Sequence, residues 1–530
     1  MASSIRPAEP RDVVIVGYGP TGMMLGLLLG QRGHRVTIVE AHRGLYNQPR
    51  AATFDDEVMR TFQKLGLASA VAEGTMRQLN YEWQNADGQL LIEHTFDQRG
   101  RAGWAEWYMM YQPHLEDVLD AACRGLANVE ILRGHRVTEV TDCADVASVV
   151  AVSADGDATV VPGRYVVGCD GGNSFVRPAL GIELDDYGFE APWLVTDFRI
   201  RRPLGLPAAL QVCDPEQPTA IIRIGPNHQR FSFMLHDGET VEHATDPDNV
   251  WRRVARWVGP DDVEMQRVAH YTFCSLIAKT WSRGRVLLAG DAAHQMPPFL
   301  GQGMCSGIRD AHNLAWKLDL ILSGTADASL LDTYQPERDP HVRAITEMAI
   351  ALGKIQTLRD PEAVRERDER WLALRAQHAE PERLRFPGLT GGLVAAAAQP
   401  EDAETGAGEL FIQGLVEVAG RRGLFDDRIG QGFTLISRAT DPLATLDAEQ
   451  ARRWSRIGGR MAWFASDGAI TETAGDGATR FVDLDGDYAR WFDAHGCAAV
   501  VVRPDWYVYG IAHDASALSR LLSRLDTALG

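Results

Sequence analysis

The chain has 530 residues, a formal net charge of −19 and seven cysteines. Its length fits roughly two to four domains, and its negative charge argues against nucleic acid as a partner. The cysteines lack CxxC spacing, His and Cys show no metal-ligand spacing, and no apolar run could span a bilayer. We therefore expect reduced thiols, no bound metal, no membrane partner and, since no signal peptide opens the chain, a cytoplasmic protein.

A glycine fingerprint lies between the first two predicted strands, residues 12–16 and 35–39. Its members are Gly17, Gly19 and Gly22, with Thr21 among them. Such a turn brings a pyrophosphate to the N-terminus of the next helix, where the threonine can add a hydroxyl. Glu40 ends the second strand, and its carboxylate would hold ribose hydroxyls and repel a 2′-phosphate. The pattern predicts bound FAD or NAD.

Three candidate residues follow in segments that carry no fingerprint of their own. Arg50 lies in a Pro-Arg-Ala loop, where it is either a cofactor neighbour or a solvated loop arginine. Residues 78–104 alternate around an Asp-Gly turn, which predicts strands that join a sheet over the substrate. Gln112 opens a predicted helix, and Val137 lies in a predicted strand.

A second glycine turn begins at Asp170, after the apolar strand at 164–169. The turn fits either cofactor support or an ordinary strand end. The segment 181–275 is rich in predicted strands and interrupts the nucleotide-binding part, so we expect a lid or substrate domain there. His270 and Tyr271 are its pocket candidates, although packing or surface roles are commoner for such residues.

The stretch from 285 to 318 carries a third glycine turn, between a short apolar strand and a long helical pattern. Its candidate residues are, in order, Asp291, Pro298, Gly301, Gly303 and Met304. The proline stiffens the chain, and the glycines let the backbone pass close to a flat ligand. The amides of the helix N-terminus would stabilise an anion or an electron-rich oxygen. These features suit a flavin seat, while an ordinary strand-turn-helix unit is the alternative.

The C-terminal part changes character after a helical, charged segment at 339–377. Residues 391–408 are rich in Ala, Gly and acids, which indicates a linker. Residues 409–530 alternate predicted strands and helices, which suggests a thioredoxin-like domain. Cys497 is its single cysteine, so thiol-disulfide chemistry is not expected there.

The three glycine turns, taken in order, resemble those of the single-component FAD-dependent aromatic hydroxylases, the class A flavoprotein monooxygenases. The run from Gly290 to Leu318 matches the second FAD motif of that family, and the turn at Asp170 matches its D-G-x-x-S-x-x-R motif. The Pro-Arg-Ala-x-x-Phe-Asp-Asp-Glu stretch at 49–57 resembles the 3-(3-hydroxyphenyl)propionate hydroxylase branch. Residues 51–53 depart from that branch, because they are small where a bulkier sequence is expected.

The resemblance implies roles for residues that spacing alone does not assign. Asp291 would accept hydrogen bonds from the ribityl hydroxyls, and Pro298 would lie near the reactive edge of the isoalloxazine. Gly301, Gly303 and Met304 would line the ring, and Gln112 would lie against it. Val137 would touch the adenine through its backbone, and Asp170 would support the pyrophosphate and the passing nicotinamide cofactor.

We thus expect an α/β chain with a Rossmann-like FAD-binding domain formed by residues 10–180 and 276–390. A β-rich substrate domain at 181–275, the linker and the thioredoxin-like domain complete it. The resemblance implies a monooxygenase that binds FAD, consumes O2 with NADH or NADPH, and hydroxylates a small phenol such as 3-(3-hydroxyphenyl)propionate. A tailoring hydroxylase of polycyclic polyketides and a non-oxygenating flavoprotein reductase are the alternatives. The base for the phenol, and whether the chain forms a homo-oligomer, stay open.

Overall fold

A computed structural model describes residues 9–379, 381, 383–395, 406–464 and 477–530 of the chain. The middle of the predicted linker, residues 396–405, lies outside the described residues. The expected fold class is confirmed: the chain is a mixed α/β protein built on three large sheets. In the described part of the chain, no helix is both long and apolar enough to cross a membrane.

The first part of the chain builds the nucleotide-binding region and one hairpin of the next sheet. Its elements are β1 (Arg11–Val16), α1 (Pro20–Gly30), β2 (Val36–Glu40), β3 (Thr53–Asp55), α2 (Asp56–Lys64), α3 (Ala68–Glu73), β4 (Thr75–Arg77), β5 (Asn80–Asn85), β6 (Leu90–Thr95), β7 (Trp107–Met110), α4 (Gln112–Arg124), β8 (Val129–Arg133), β9 (His135–Asp142), β10 (Ala147–Ser153), β11 (Ala158–Gly168) and α5 (Val176–Ala179).

The middle of the chain is mostly strand and then returns to helices. Its elements are β12 (Leu184–Ile200), β13 (Ala209–Cys213), β14 (Thr219–Arg223), β15 (His228–Met234), α6 (Val241–Thr245), α7 (Pro247–Val254), β16 (Val263–Ala278), β17 (Ser282–Arg283), β18 (Val286–Leu288), β19 (His294–Gln295), α8 (Gly303–Leu322), α9 (Tyr334–Gln356) and α10 (Pro361–Ala376).

The C-terminal part alternates strands and helices. Its elements are β20 (Leu415–Val418), β21 (Arg421–Leu424), α11 (Phe425–Ile429), β22 (Thr434–Arg438), α12 (Ala448–Arg456), β23 (Arg460–Phe464), β24 (Thr479–Asp483), α13 (Asp487–His495), β25 (Ala499–Val502), β26 (Val508–Ala512) and α14 (Ala515–Leu529).

The first sheet has the order β17-β18-β11-β1-β2-β8, with β9 and β10 attached to β11. Strands β18, β11, β1, β2 and β8 run parallel to one another. Because parallel strands end at one edge, the turns that follow β1, β11 and β18 meet there, although 272 positions separate the end of β1 from the end of β18. Ligands of open α/β sheets bind at this edge.

The second sheet, in the order β19-β16-β12-β15-β14-β13-β5-β6, is antiparallel except where β13 meets β5. The hairpin of β5 and β6 therefore completes a sheet that strands from residues 184–278 begin. On one face, helices α6 and α7 cover an apolar cluster that contains Leu194 and Phe198. On the other, Trp193 packs against Phe299, next to the third glycine turn.

The third sheet has the order β21-β20-β24-β23-β22-β25-β26. Within this sheet, β22 and β23 are parallel, whereas β25 and β26 are antiparallel to their neighbours. The residues of this sheet divide between two cores. Val500 and Val502 belong to a core of the C-terminal domain itself, whereas Leu435 and Val501 join the main core that contains α8. The C-terminal domain thus packs directly on the helix that follows the third glycine turn.

Candidate active site

The glycines of the first turn have different neighbours. Gly17 has φ +104°, and a Cβ there would overlap the carbonyl oxygen of Cys169. A Cβ at Gly22 would overlap the carbonyl oxygen of Gly17. At Gly19, no atom of the described residues, apart from the glycine itself and its two chain neighbours, lies within 4 Å of the added carbon. Packing of the protein therefore requires the outer two glycines, whereas Gly19 leaves open space at the start of α1.

Two polar side chains of this region are held by the protein itself. The Thr21 hydroxyl lies against Gly290 and Gly307, where a Cβ on either glycine would overlap it. Thr21 thereby packs α1 onto the third turn and α8. Glu40 accepts hydrogen bonds from the backbone amides of Tyr18 at 2.8 Å and His42 at 2.7 Å. Its carboxylate is thus fixed at the strand end, and each oxygen keeps acceptor capacity for a ribose hydroxyl.

The turn at Asp170 is held by that carboxylate. Asp170 accepts from the Ser174 hydroxyl at 2.7 Å and from the amides of Phe175 at 2.7 Å and Val176 at 3.0 Å. Arg177 then donates to the carbonyl oxygen of Ala292 at 2.9 Å. Asp170 thus stabilises its own loop, and Arg177 links that loop by a hydrogen bond to the turn after β18. Direct support of a cofactor stays a prediction.

Asp291 lies in the turn that follows β18, at the edge where the parallel strands end. Its side chain is exposed, whereas Gly290 and Ala292 on either side are buried. Surrounding protein still desolvates the carboxylate and raises its pKa, while the charges of His294 and Arg50 act in the opposite direction. Asp291 is thus an exposed acceptor at the strand edge that hydroxyl donors would stabilise.

The third turn depends on residues that sequence reasoning did not single out. Asp310 accepts from the amide of Gly290 at 3.0 Å and pairs with His294 at 2.6 Å and with Arg338 at 2.9 Å. All three side chains are buried. Asp310 is the aspartate of the G-x-x-D part of the motif, so the spacing contained the signal, but only the fold shows that it holds Gly290 in place.

The N-termini of two helices suit electron-rich ligand groups. Helices α1 and α8 both begin without a side-chain cap and without an acidic residue in the first turn. Their first amides therefore keep donor capacity, and each helix end is electropositive. At Gly303 an added Cβ would meet only Met296, at 3.9 Å, so the backbone can be approached closely there as at Gly19. Two uncapped helices at one sheet edge fit a dinucleotide that carries a flavin.

The remaining residues of the predicted seat lie between the turn after β18 and the first turn of α8. Pro298 is exposed between buried Pro297 and Phe299. Gly301 has φ +62° and closes a short helical turn, and Met304 is half-buried in the first turn of α8. These positions are adjacent in the structure, and their contacts with a flavin stay predictions.

Gln112 fixes the loop that carries Arg50. Its side-chain oxygen accepts from the amides of Arg50 at 3.2 Å and Ala51 at 2.6 Å, and its nitrogen donates to Glu116 at 2.7 Å. The Arg50 guanidinium is exposed and lies 4.2 Å from the centre of the Tyr46 ring. Val137 is buried in β9, opposite Ala151. The Arg50 guanidinium is therefore engaged by the ring and the hydroxyl of Tyr46, and Gln112 is largely engaged by the protein.

The register of the second sheet separates the two pocket candidates. Tyr271 lies opposite Trp193, and His270 lies opposite Leu194. Directly opposite residues share a face of the sheet. Tyr271 therefore faces the side on which Trp193 meets Phe299, whereas His270 faces the apolar cluster beneath α6 and α7. Only Tyr271 is brought to the side of the cofactor edge.

Tyr271 belongs to a network of hydroxyls and arginines. Its hydroxyl bonds to Tyr46 and accepts from Arg267. Burial raises the pKa of Tyr271. Burial also opposes ionisation of Tyr46, but the hydrogen bonds from Tyr271 and Arg50 and two arginine charges outweigh it and lower the pKa of Tyr46. The pair therefore joins an exposed phenol, whose pKa is lowered, to a half-buried phenol on the sheet face.

A buried ion cluster lies beside this pair. Arg230 donates to Asp197 at 2.7 and 3.2 Å and to the carbonyl oxygens of Pro49 and Arg50 at 3.0 and 2.6 Å. Arg267 also donates to Asp197, at 3.4 Å, and to Pro49. The cluster joins the second sheet to the loop of Arg50, and both of its cations are engaged by the protein.

On the face that Trp193 and Asp197 share, a row of mostly small side chains runs across the strands between these two residues. In register they are Ala269, Val195, Ser232 and Ala220, followed by Gln211. Gln211 Oε1 and Trp193 Nε1 are buried and, among the described residues, have no hydrogen-bond partner. Since a buried polar atom without a partner is costly, one neutral acceptor and one neutral donor on this face suit polar groups of a ligand.

The chain matches two family models and several curated relatives. The model described as an FAD binding domain matches residues 11–349, and the HcaD C-terminal domain matches residues 408–528. A probable NADH-specific resorcinol 4-hydroxylase of Rhodococcus jostii is 49% identical over 98% of this chain and 95% of its own. A 3-(3-hydroxy-phenyl)propionate/3-hydroxycinnamic acid hydroxylase of a Mycobacterium species (strain KMS) is 37% identical, over 96% and 90%.

Solved structures agree in fold. The flavin-dependent monooxygenase PieE, in complex with FAD and substrate, superposes with a TM-score of 0.82 at 22% identity and covers 99% of both chains. Aklavinone-11 hydroxylase, with FAD and aklavinone, superposes with a TM-score of 0.77 at 25% identity over 98% of this chain and 99% of its own. The resemblance drawn from the three glycine turns is thereby confirmed. The chain belongs to the FAD-dependent aromatic hydroxylases, a family of flavoprotein monooxygenases, and FAD is its cofactor.

Proposed function

We propose that this enzyme hydroxylates a small, uncharged phenol of the resorcinol type, with NADH as the electron donor. The relative named as a resorcinol 4-hydroxylase shares 49% of aligned residues, against 37% for the phenylpropionate hydroxylase cited above. The proposal therefore moves the expected substrate from a phenylpropanoid acid to a neutral dihydroxybenzene.

This choice of substrate rests on one observation: the two arginines on the substrate side of the second sheet are already paired within the protein. Arg230 and Arg267 both donate to Asp197 and to backbone carbonyl oxygens of the neighbouring loop. A substrate carboxylate could recruit them only by leaving Asp197 buried with fewer partners, which is costly. The unpartnered atoms there, Gln211 Oε1 and Trp193 Nε1, are neutral. They suit hydroxyl groups.

The proposed cofactor seat uses the residues of the three glycine turns. The pyrophosphate would lie at Gly19, with Glu40 on the ribose and Asp291 on the ribityl chain. The ring would lie along Pro298, Gly301, Gly303 and Met304, where amides of α8 face its electron-rich end. When bound, FAD supplies the electron transfer from the nicotinamide and the activation of O2.

The phenolic proton needs an acceptor, because an ionised phenol is the more electron-rich ring. We assign this role to the Tyr271 hydroxyl, which takes the phenolic proton as its own proton moves to Tyr46; Tyr46, whose pKa is lowered, then releases a proton to water. Tyr271 lies on the substrate face, whereas Tyr46 is exposed and can exchange protons with water.

A substrate panel tests the proposal. Resorcinol, 3-(3-hydroxyphenyl)propionate and a polycyclic phenol are each supplied with NADH or NADPH and isotopically labelled O2, and the hydroxylated product is quantified. We expect one labelled oxygen atom in the resorcinol product and the highest kcat/KM with that substrate and NADH. Preferential turnover of the propionate or of the polycyclic phenol would refute the substrate, and label from water would refute the monooxygenase.

Two leucine variants test whether Gln211 accepts a hydrogen bond from a substrate hydroxyl. Gln211→Leu should raise the KM for resorcinol about tenfold, since it removes a buried acceptor for a substrate hydroxyl. Gln229→Leu is the matched control, because Gln229 is equally buried with an unpartnered oxygen but lies opposite Phe198, which packs beneath α6 and α7. Equal KM changes in both variants would contradict the assignment.

A further inference from the structure

A hydrogen-bonded path runs from the C-terminal domain to the first turn of α8. Just before β26, the Tyr507 hydroxyl donates to Glu57 Oε1 at 3.1 Å. Glu57 Oε2 accepts from Arg309 Nε at 2.6 Å, and Arg309 Nη1 donates to Gln302 Oε1 at 2.8 Å. All four side chains are buried, so bulk water does not compete for these bonds and their geometry is fixed.

The path ends on a residue that begins the proposed flavin seat. Gln302 occupies the N-cap position of α8, yet its side chain makes no capping bond to the helix. Its oxygen is held by Arg309, and its nitrogen donates to Asp55 Oδ2 at 3.1 Å. A polar side chain that rotated freely there could turn onto the first amides of the helix. The tether keeps those amides available to a ligand.

A second group of contacts holds α8 further along its length. Asp505 Oδ2 accepts from Asn313 Nδ2 at 3.1 Å and from Trp316 Nε1 at 3.0 Å. Arg503 completes the group, since it pairs with Asp505 at 2.7 Å and with Glu337, on α9, at 2.6 Å. The C-terminal domain is therefore linked to α8 at two positions along the helix, directly through Asp505 and indirectly through Glu57.

Thiol chemistry does not account for this domain. Cys497 is its single cysteine, and burial raises the pKa of that thiol to about 12, so it is protonated at neutral pH. The contacts with α8 assign the domain a different task.

We propose that the C-terminal domain is a positioning element of the cofactor seat, in which Tyr507, through Glu57 and Arg309, sets the orientation of Gln302 and of the first turn of α8. This inference rests on the cofactor seat proposed above. Tyr507 touches neither substrate nor cofactor; it acts through Glu57.

Tyr507→Phe tests the path, because it removes the donor hydroxyl and keeps the ring. FAD is removed from the full-length protein, and three quantities are measured: the dissociation constant of FAD, the visible spectrum of bound flavin, and the thermal unfolding of the apoprotein. We expect the dissociation constant to rise about three- to tenfold. This change corresponds to part of the free energy that one hydrogen bond to a carboxylate contributes. The flavin bands should shift. Tyr509→Phe, equally buried on β26 but outside the path, should leave both readouts unchanged.

A double variant separates positioning from general loss of stability. If Tyr507 acts through Glu57, Tyr507→Phe should change FAD affinity less in a Glu57→Gln background than in the native one. Additive effects, or equal losses in Tyr507→Phe and Tyr509→Phe, would overturn the inference. Should Tyr507→Phe not fold, Trp316→Phe removes a donor to Asp505 and should show a similar loss of affinity; its absence would also count against the inference.

Variants of the seat show which proposal has failed. Weaker FAD binding in Gly19→Ala with native binding in Tyr507→Phe would overturn the positioning role alone. Native binding in both variants would overturn the seat and the positioning role together.

Discussion

Replacement of Gly19 by alanine separates a glycine that serves the cofactor from those that serve the fold. Beyond its chain neighbours, no atom in the described part of the chain lies within 4 Å of the added carbon, and the residue has an ordinary φ of −85°. We therefore expect the free energy of unfolding of the apoprotein to change by less than about 0.5 kcal/mol, because the weaker N-cap preference of alanine is offset by the lower conformational entropy of the unfolded chain when alanine replaces glycine. The methyl group would instead occupy space into which the pyrophosphate is proposed to fit.

The expected cost to FAD binding follows from overpacking. Forcing one extra methyl group into a close contact costs about 1–3 kcal/mol, which corresponds to a roughly 5- to 150-fold weaker dissociation constant. The assay is a fluorescence titration of apoprotein with FAD, paired with thermal unfolding in the absence of FAD.

The matched control is Gly17→Ala, in which the added carbon overlaps the carbonyl oxygen of Cys169 at φ +104°. That variant should lose stability before any cofactor is added. Native FAD affinity in Gly19→Ala, or a loss of apoprotein stability as large as that of Gly17→Ala, would refute the assignment of Gly19 to the pyrophosphate.

Two further predictions concern proton positions. Tyr271→Phe should lower kcat/KM for the phenol by at least about tenfold, as expected for loss of a proton acceptor, and should leave FAD affinity unchanged; an unaltered pH profile of kcat/KM would argue against the Tyr46–Tyr271 pair. Burial, and next the charge of Asp55, raise the pKa of Asp56 to about 7. The folded protein therefore binds more protons than the unfolded chain between about pH 4 and 7, and stability falls as pH rises through that window. Asp56→Asn should reduce this fall by about 2 kcal/mol, roughly half of the full linkage value because the side chain is partly exposed, and an unchanged pH dependence of urea unfolding would contradict it.

The sequence alone was sufficient for the parts of the chain whose function depends on local backbone. Gly17, Gly22 and Gly290 each occupy a position where a Cβ would overlap a neighbour, so their spacing in the chain records a requirement of the turn itself. Strands before these turns and helices after them follow from apolar periodicity, because both are set by nearby residues. That local information identified the family and the cofactor.

Tertiary structure decided which side chains meet. His270 and Tyr271 are adjacent in a strand and so face opposite sides of the sheet, but only the pairing of β12 with β16 shows which of them shares the face of Trp193. The pairing of Arg230 with Asp197 also depends on strand register, and it removes the cation that a carboxylate substrate would need. Tyr507 lies 450 positions from Glu57, and no local pattern links them. Contacts between distant segments arise only when the shared core brings sheets and helices together, and the substrate face and the role of the C-terminal domain both consist of such contacts.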